Sequence, residues 1–265
     1  MPVVNHRGAD LAYTVTDLTP PWATRGETIL FHQGVGASAE TWASWLPGLA
    51  DRYRLVCFDL RGHGGSPLPP GFHWSVDDLA GDLIAVADAA GAERFHLVGE
   101  SVGATVALAC AAAHGDRLIS VTASNGPHRG GDVQNVDFWR GVIEKEGMAG
   151  WSKRMMDLRF HPGALPDAAW RWYEAQQATC APSAVLDALD MLIATDLTPK
   201  LGAIETPALL LHPDDSPFVP LATMADLRAA LPNARLQVFP GARHGLPFSH
   251  GPDCARALRS FIESL

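Results

Sequence analysis

The chain has few cysteines, and Cys57, Cys110, Cys180 and Cys254 form no C-x-x-C pair. That spacing gives no support for a zinc knuckle or a thioredoxin-type centre. Basic residues are also scarce, 20 against 29 acids, for a net charge of −9. Neither the electrostatic footprint of a nucleic-acid binder nor a basic patch for an anionic membrane is present. The N-terminus carries no basic-then-apolar leader. The longest uncharged, mostly apolar run, 102–113, is too short to span a bilayer. Repeats, low-complexity tracts, H-x-H and H-E-x-x-H motifs and carboxylate clusters are missing too. These absences lead to the expectation of a cytoplasmic protein that needs no metal, binds no nucleic acid and no membrane, and acts on a small molecule. They leave a homodimer open.

Apolar residues are plentiful, at 47% of 265 residues, which suffices for a large core and argues against disorder. Short apolar runs at 28–32, 54–58, 94–98, 118–124, 208–212 and 235–239 read as buried strands, and 10–16 alternates like an edge strand. Between them, 40–50, 75–90, 102–113 and a C-terminal stretch from about 252 read as helices, with Ser75 a plausible N-cap. Strands alternating with helices predict an α/β fold, a mostly parallel sheet covered on both faces. The segment 127–200 breaks that rhythm and holds Trp139, Trp151, Trp170 and Trp172. It reads as a helical cap inserted between core strands, leaving 1–126 and 201–265 as the core domain.

The chemistry-bearing motif is Gly99-Glu100-Ser101-Val102-Gly103, placed between a strand and a helix. G-x-S-x-G in that context puts a serine on a tight turn beside a helix N-terminus, whose free N–H groups favour a negative oxygen. The glycine-rich turn 33–36 can aim the Val35 N–H at the same oxygen, paired with that of Val102. Among eleven histidines, His244 lies after the last strand, at the sheet edge where active sites of open α/β sheets assemble. His250 is its rival, while His63 reads as structural or pocket-lining. The orienting acid is expected just past the 208–212 strand, where Asp214 and Asp215 adjoin.

On these residues, and on Asp59-Leu60-Arg61-Gly62-His63-Gly64-Gly65-Ser66, the chain resembles the α/β-hydrolase superfamily over nearly its whole length. Within it, length, cap size and the stretch 201–207 resemble 3-oxoadipate enol-lactonase and related small esterases. The resemblance implies a serine hydrolase cleaving a small carboxylic ester or lactone without a cofactor. Ser101 would be nucleophile, His244 base and Asp215 acid, in the chain order Ser…Asp…His. Two departures stand out. Many relatives have His-Gly at Gln33-Gly34, and relatives place the acid four residues before a proline, a spacing that from Pro220 lands on Ser216. A one-residue shift selects Asp215. Gly34, Trp139, Trp151, Met155, Met156 and Phe160 are the expected pocket residues.

Other readings remain on the same fold: C–C bond hydrolase, lyase, acyltransferase or non-catalytic receptor. A C–C hydrolase would need a cation for a dienoate carboxylate, and the cap offers Arg140, Lys153, Arg154, Arg159 and Arg171. Gly34-x-Gly36-x-x-Ala39 with Asp59 is a near-match to a nucleotide fingerprint, but it leaves Ser101 and His244 without purpose.

Overall fold

The computed structural model describes residues 1–24 and 26–265. Eight strands form one sheet, β1 (Val3–His6), β2 (Ala9–Thr16), β3 (Thr28–His32), β4 (Arg54–Phe58), β5 (Phe95–Glu100), β6 (Leu118–Ser124), β7 (Ala208–Pro213) and β8 (Ala234–Phe239). Their order is β1-β2-β4-β3-β5-β6-β7-β8. β1 and β2 pair antiparallel, β2 joins β4 antiparallel, and every later pairing is parallel. The central strands β3 and β5 are buried along their whole length, which is why they read as unbroken apolar runs.

Helices α1 (Val76–Ala89) and α2 (Val102–Ala113) pack together on one face of the sheet. Ser75 caps α1, its hydroxyl accepting the Asp78 N–H at 3.0 Å. α2 is buried at ten of its twelve positions, so its alanines let it sit close to β5 and β6. The stretch read as one helix over 40–50 instead forms two short 3-10 turns, Ala39–Trp42 and Leu46–Gly48. Trp42, Trp45 and Phe31 interlock there with ring centroids 5.0 to 5.8 Å apart.

Between β6 and β7 the chain leaves the sheet as α3 (Phe138–Arg159), α4 (Asp167–Ala178), α5 (Pro182–Ala194) and α6 (Thr198–Leu201). Its entry and exit segments are laced together by an antiparallel bridge, Arg129 to Asp196, and by the Gly130 N–H to Thr195 carbonyl bond at 2.7 Å. α3 is interrupted at Gly147, whose φ of 69° lies outside the helical region. After β7 come α7 (Leu221–Ala230), α8 (Leu246–Ser249) and α9 (Gly251–Ile262), the last with its apolar face on the β3–β4 side of the core. Among the described residues, no helix is long and apolar enough to cross a membrane.

Candidate active site

β5 delivers Ser101 to the sheet's C-terminal edge, and the turn is as tight as the motif requires. Ser101 has φ 54° and ψ −119°, a conformation rare outside glycine. The strained residue is held by its own N–H, which donates to the Ser124 carbonyl at 2.8 Å, and by the Ala104 N–H, which donates to its carbonyl at 3.0 Å. A Cβ on Gly99 would strike the Gly103 and Ala104 backbone, and one on Gly103 would strike the His32 and Gln33 carbonyls. The glycines are therefore required by the close approach of strand and helix.

His244, in the loop after β8, places Nε2 3.1 Å from Ser101 Oγ. Its other nitrogen, Nδ1, lies 3.2 Å from Ser216 Oγ. The assignment of Asp215 as the orienting acid is corrected at this point. The Asp215 carboxylate is turned outward, 3.0 Å from Arg243 Nε and 3.3 Å from His161 Nε2. Asp214 accepts the Gly241 N–H at 2.8 Å. Adjacent residues on the loop after β7 project in different directions, and the third of them, Ser216, faces the imidazole. Ser216 is the residue four positions before Pro220, the spacing at which relatives carry the acid. Ser216 Oγ also accepts the Val219 N–H at 3.2 Å, which fixes the hydroxyl in place.

Val35 lies on the turn after β3 and lines the cavity beside Ser101. The turn is braced from below. His63 Nε2 accepts the Gly36 N–H at 3.1 Å, while His63 Nδ1 donates to the Arg61 carbonyl at 3.0 Å. Those two bonds need the neutral ring, and burial pushes the His63 pKa from 6.5 down to about 4. His63 is thus a structural prop. Val102 is the first residue of α2, where backbone N–H groups have no intrahelical acceptor. Gly34 gives its N–H to Glu100 Oε2 at 3.0 Å and is part of the scaffold beneath the pocket, not its wall.

A narrow cavity opens over Ser101 and His244, walled by Trp139, Met155, Leu189, Leu192, Phe218 and Val219 among others, with about 20 Å³ of it open to a water-sized sphere. Of the expected pocket residues, Trp139 and Met155 line it, whereas Trp151, Met156 and Phe160 do not. Trp151 stacks edge-on against Trp139 at 5.2 Å and presses on Gly36. Met156 and Phe160 belong to a separate cluster with Tyr173 and Phe248. These three positions face the packing side of the cap helices, so helical spacing alone does not separate them from the pocket side.

Arg159 is the polar wall residue that the sequence reading named but did not place. It ends α3 and is 2% exposed. Its Nε donates to Gln177 Oε1 at 2.8 Å and its Nη2 to the Val35 carbonyl at 2.6 Å. Its charge also acts on the base. Burial first, then Arg159 and His212, hold the His244 pKa well below 6.5, so the imidazole is neutral at ordinary pH. Among the described residues no group of three His, Cys, Asp or Glu is placed to hold a metal ion.

The match to known proteins follows this geometry. The family model of the alpha/beta hydrolase fold matches residues 27–251. A putative carbamate hydrolase RutD of Caulobacter segnis is 30% identical over 91% of this chain and 94% of its own length. A non-heme haloperoxidase of Rhodococcus erythropolis is 30% identical over 90% and 93%. The enol-lactonase structure from Burkholderia xenovorans superposes with a TM-score of 0.89 at 21% identity, covering 99% of this chain and all of that one, a likeness of fold. The family model spans most of the chain and the mostly parallel eight-stranded sheet fits it, so the chain belongs to the α/β-hydrolase family.

Proposed function

We propose that this hydrolase cleaves a small carboxylic ester or lactone through an acyl-enzyme formed on Ser101. One observation carries the reading: Ser101 Oγ stands 3.1 Å from His244 Nε2, on a strained elbow at the floor of a mainly apolar cavity. Hydroxyl and imidazole are within the reach needed for proton transfer. With Nδ1–H donating to Ser216 Oγ, Nε2 is the free acceptor that the serine proton requires. Ser101 Oγ then bonds to the substrate carbonyl carbon, and its proton passes to Nε2. The carbonyl oxygen takes the negative charge beside the Val35 and Val102 N–H groups. Collapse breaks the bond to the leaving oxygen, which takes the proton back from Nε2. Water, deprotonated at Nε2, attacks the acyl-enzyme and returns Ser101. These groups supply nucleophile, base and charge stabilisation, so the mechanism calls on no cofactor.

The site's electrostatics favour esters and lactones over less reactive acyl compounds. A hydroxyl at Nδ1 orients the ring but offers no negative charge to the imidazolium, and Arg159 opposes that cation. In a serine protease, replacing the acid by a neutral residue lowers kcat by about 10⁴. A base weakened in this way suits substrates whose carbonyl is already reactive and whose leaving oxygen departs readily. Carbamates, suggested by the relatives' names, demand more of it.

A fluorophosphonate probe combined with a panel of p-nitrophenyl esters, lactones, carbamates and ring-fission dienoates tests the reading. Covalent labelling at Ser101 and fastest turnover of short esters or lactones are expected. An unlabelled Ser101, or turnover confined to the dienoates or carbamates, would overturn it.

A further inference from the structure

Three consecutive residues at the end of β6 meet both halves of the site. The Ser124 carbonyl accepts the Ser101 N–H at 2.8 Å. Asn125 Nδ2 donates to the His244 carbonyl at 2.6 Å. A Cβ on Gly126 would come within 2.8 Å of the Ser101 carbonyl, so this glycine lets the segment lie against the elbow. Nucleophile and base, 143 residues apart in sequence, thus hang from one short piece of chain. The Asn125 bond also fixes a direction. The peptide that follows His244 is held at both ends, its carbonyl by Asn125 and its Gly245 N–H by the Arg159 carbonyl at 2.8 Å. A planar peptide gripped at both ends cannot turn, so the direction in which His244 projects its ring is set. Asn125 occupies this place at a local cost. It is fully buried with φ 56°, a left-handed conformation that glycine adopts without strain. Its Oδ1 is buried without a partner. Glycine would relieve both costs, and what it lacks is the donor to His244.

We infer, on the hydrolase reading above, that Asn125 is a positioning residue for the base: its amide, tied through the backbone to the elbow, sets the approach of His244 Nε2 to Ser101 Oγ. That approach is 3.1 Å, within reach of proton transfer, and a displacement of about 1 Å can cost about 10²-fold in rate. Asn125 acts on the base's backbone and not on its ring, whose two nitrogens face Ser101 and Ser216. It therefore sets where the imidazole stands, while its proton positions are set by the two hydroxyls. The Asn125 N–H in turn donates to the Leu211 carbonyl at 3.1 Å, which anchors the residue to β7, the strand that leads to Ser216. One asparagine thereby joins the strand ends that carry nucleophile and orienter to the loop that carries the base.

Two variants test the assignment. Asn125→Gly keeps the left-handed backbone and deletes the donor. Asn125→Ser keeps a polar side chain too short to reach the carbonyl, and serves if the glycine protein fails to fold. In either, kcat on p-nitrophenyl acetate is expected to fall by about 10- to 100-fold while KM stays within about twofold. A merely structural asparagine would instead loosen the cavity and raise KM. A second readout needs no turnover. Nitrogen-15 NMR of the imidazole reports the Ser101 bond at Nε2: Ser101→Ala shifts that signal in the otherwise unmodified protein, and is expected to leave it unmoved once Asn125 is replaced. Unchanged kcat, a loss carried by KM, or a full Ser101→Ala shift in the Asn125 variants overturns the assignment. Because the NMR comparison does not depend on turnover, an inactive unmodified protein would count against the hydrolase reading and leave this result legible.

Discussion

Ser216 Oγ lies 3.2 Å from His244 Nδ1, in the place where an orienting carboxylate stands in a Ser-His-Asp triad. The hydroxyl can accept the Nδ1 proton or donate its own. The tautomer that leaves Nε2 free is therefore favoured less strongly than a carboxylate would favour it, and the imidazolium gains no counter-charge.

Ser216→Asp is accordingly expected to raise kcat on p-nitrophenyl acetate by about 10- to 1,000-fold, part of the factor a triad acid supplies. The acid limb of the pH–rate profile should move upward in the same variant, because a carboxylate stabilises the protonated ring. Ser216→Ala should lower kcat. Steady-state kinetics check both, and unchanged rates in the two variants would mean that Ser216 does not act on the base.

Ser101→Ala is expected to lower turnover by at least about three orders of magnitude, the scale of removing a triad nucleophile. Its melting temperature should hold or rise, since the substitution does not touch the core. Kinetics and thermal melts on the same preparation check this.

The pH dependence of activity follows from the neutral imidazole. Burial, Arg159 and His212 hold His244 well below 6.5, so the base form persists as pH falls through that value. The kcat/KM of a neutral ester should stay level as pH falls through 6.5 and decline only in solution more acidic than an ordinary histidine would require.

Stability follows the same groups with a definite sign. Burial depresses His32, His63 and His212 from 6.5 to about 4 in the folded chain. The unfolded chain binds protons first as pH falls. The stabilisation is therefore whole above pH 6.5, declines between 6.5 and about 4, and levels off below that, as far as these three groups are concerned. Urea midpoints across that window check the slope.

Trp139 lines the cavity and Phe160 does not. Trp139→Ala should shift preference toward longer acyl chains. Phe160→Ala should lower stability by about 3–5 kcal/mol, as for other large aromatic deletions, with chain-length preference unchanged. An ester series from acetate to octanoate, with denaturation curves, separates the two.

The core was legible in the sequence because its signals are local. Buried parallel strands read as apolar runs, and the elbow's glycines are forced by backbone contact between Gly99 and Gly103. The site's far half was less so. Asp214, Asp215 and Ser216 are consecutive, and which of them meets His244 depends on the turn's direction, which hydropathy does not encode. Arg159 resembles any other cap cation until the fold brings it against Val35. The 3-10 turns of 39–48 escaped because Trp42 and Trp45 occur at a spacing that an α-helix could equally present.

The end of α3 touches both loops that flank Ser101. The Arg159 side chain holds the Val35 carbonyl, the Arg159 carbonyl accepts the Gly245 N–H at 2.8 Å, and the Asp157 carbonyl accepts from Arg243. One loop carries Val35, the proposed oxyanion donor, and the other carries His244, the proposed base. Withdrawing this helix end from the core would have to break all three bonds together. The position of this one helix end therefore sets the spacing between the two loops that flank Ser101.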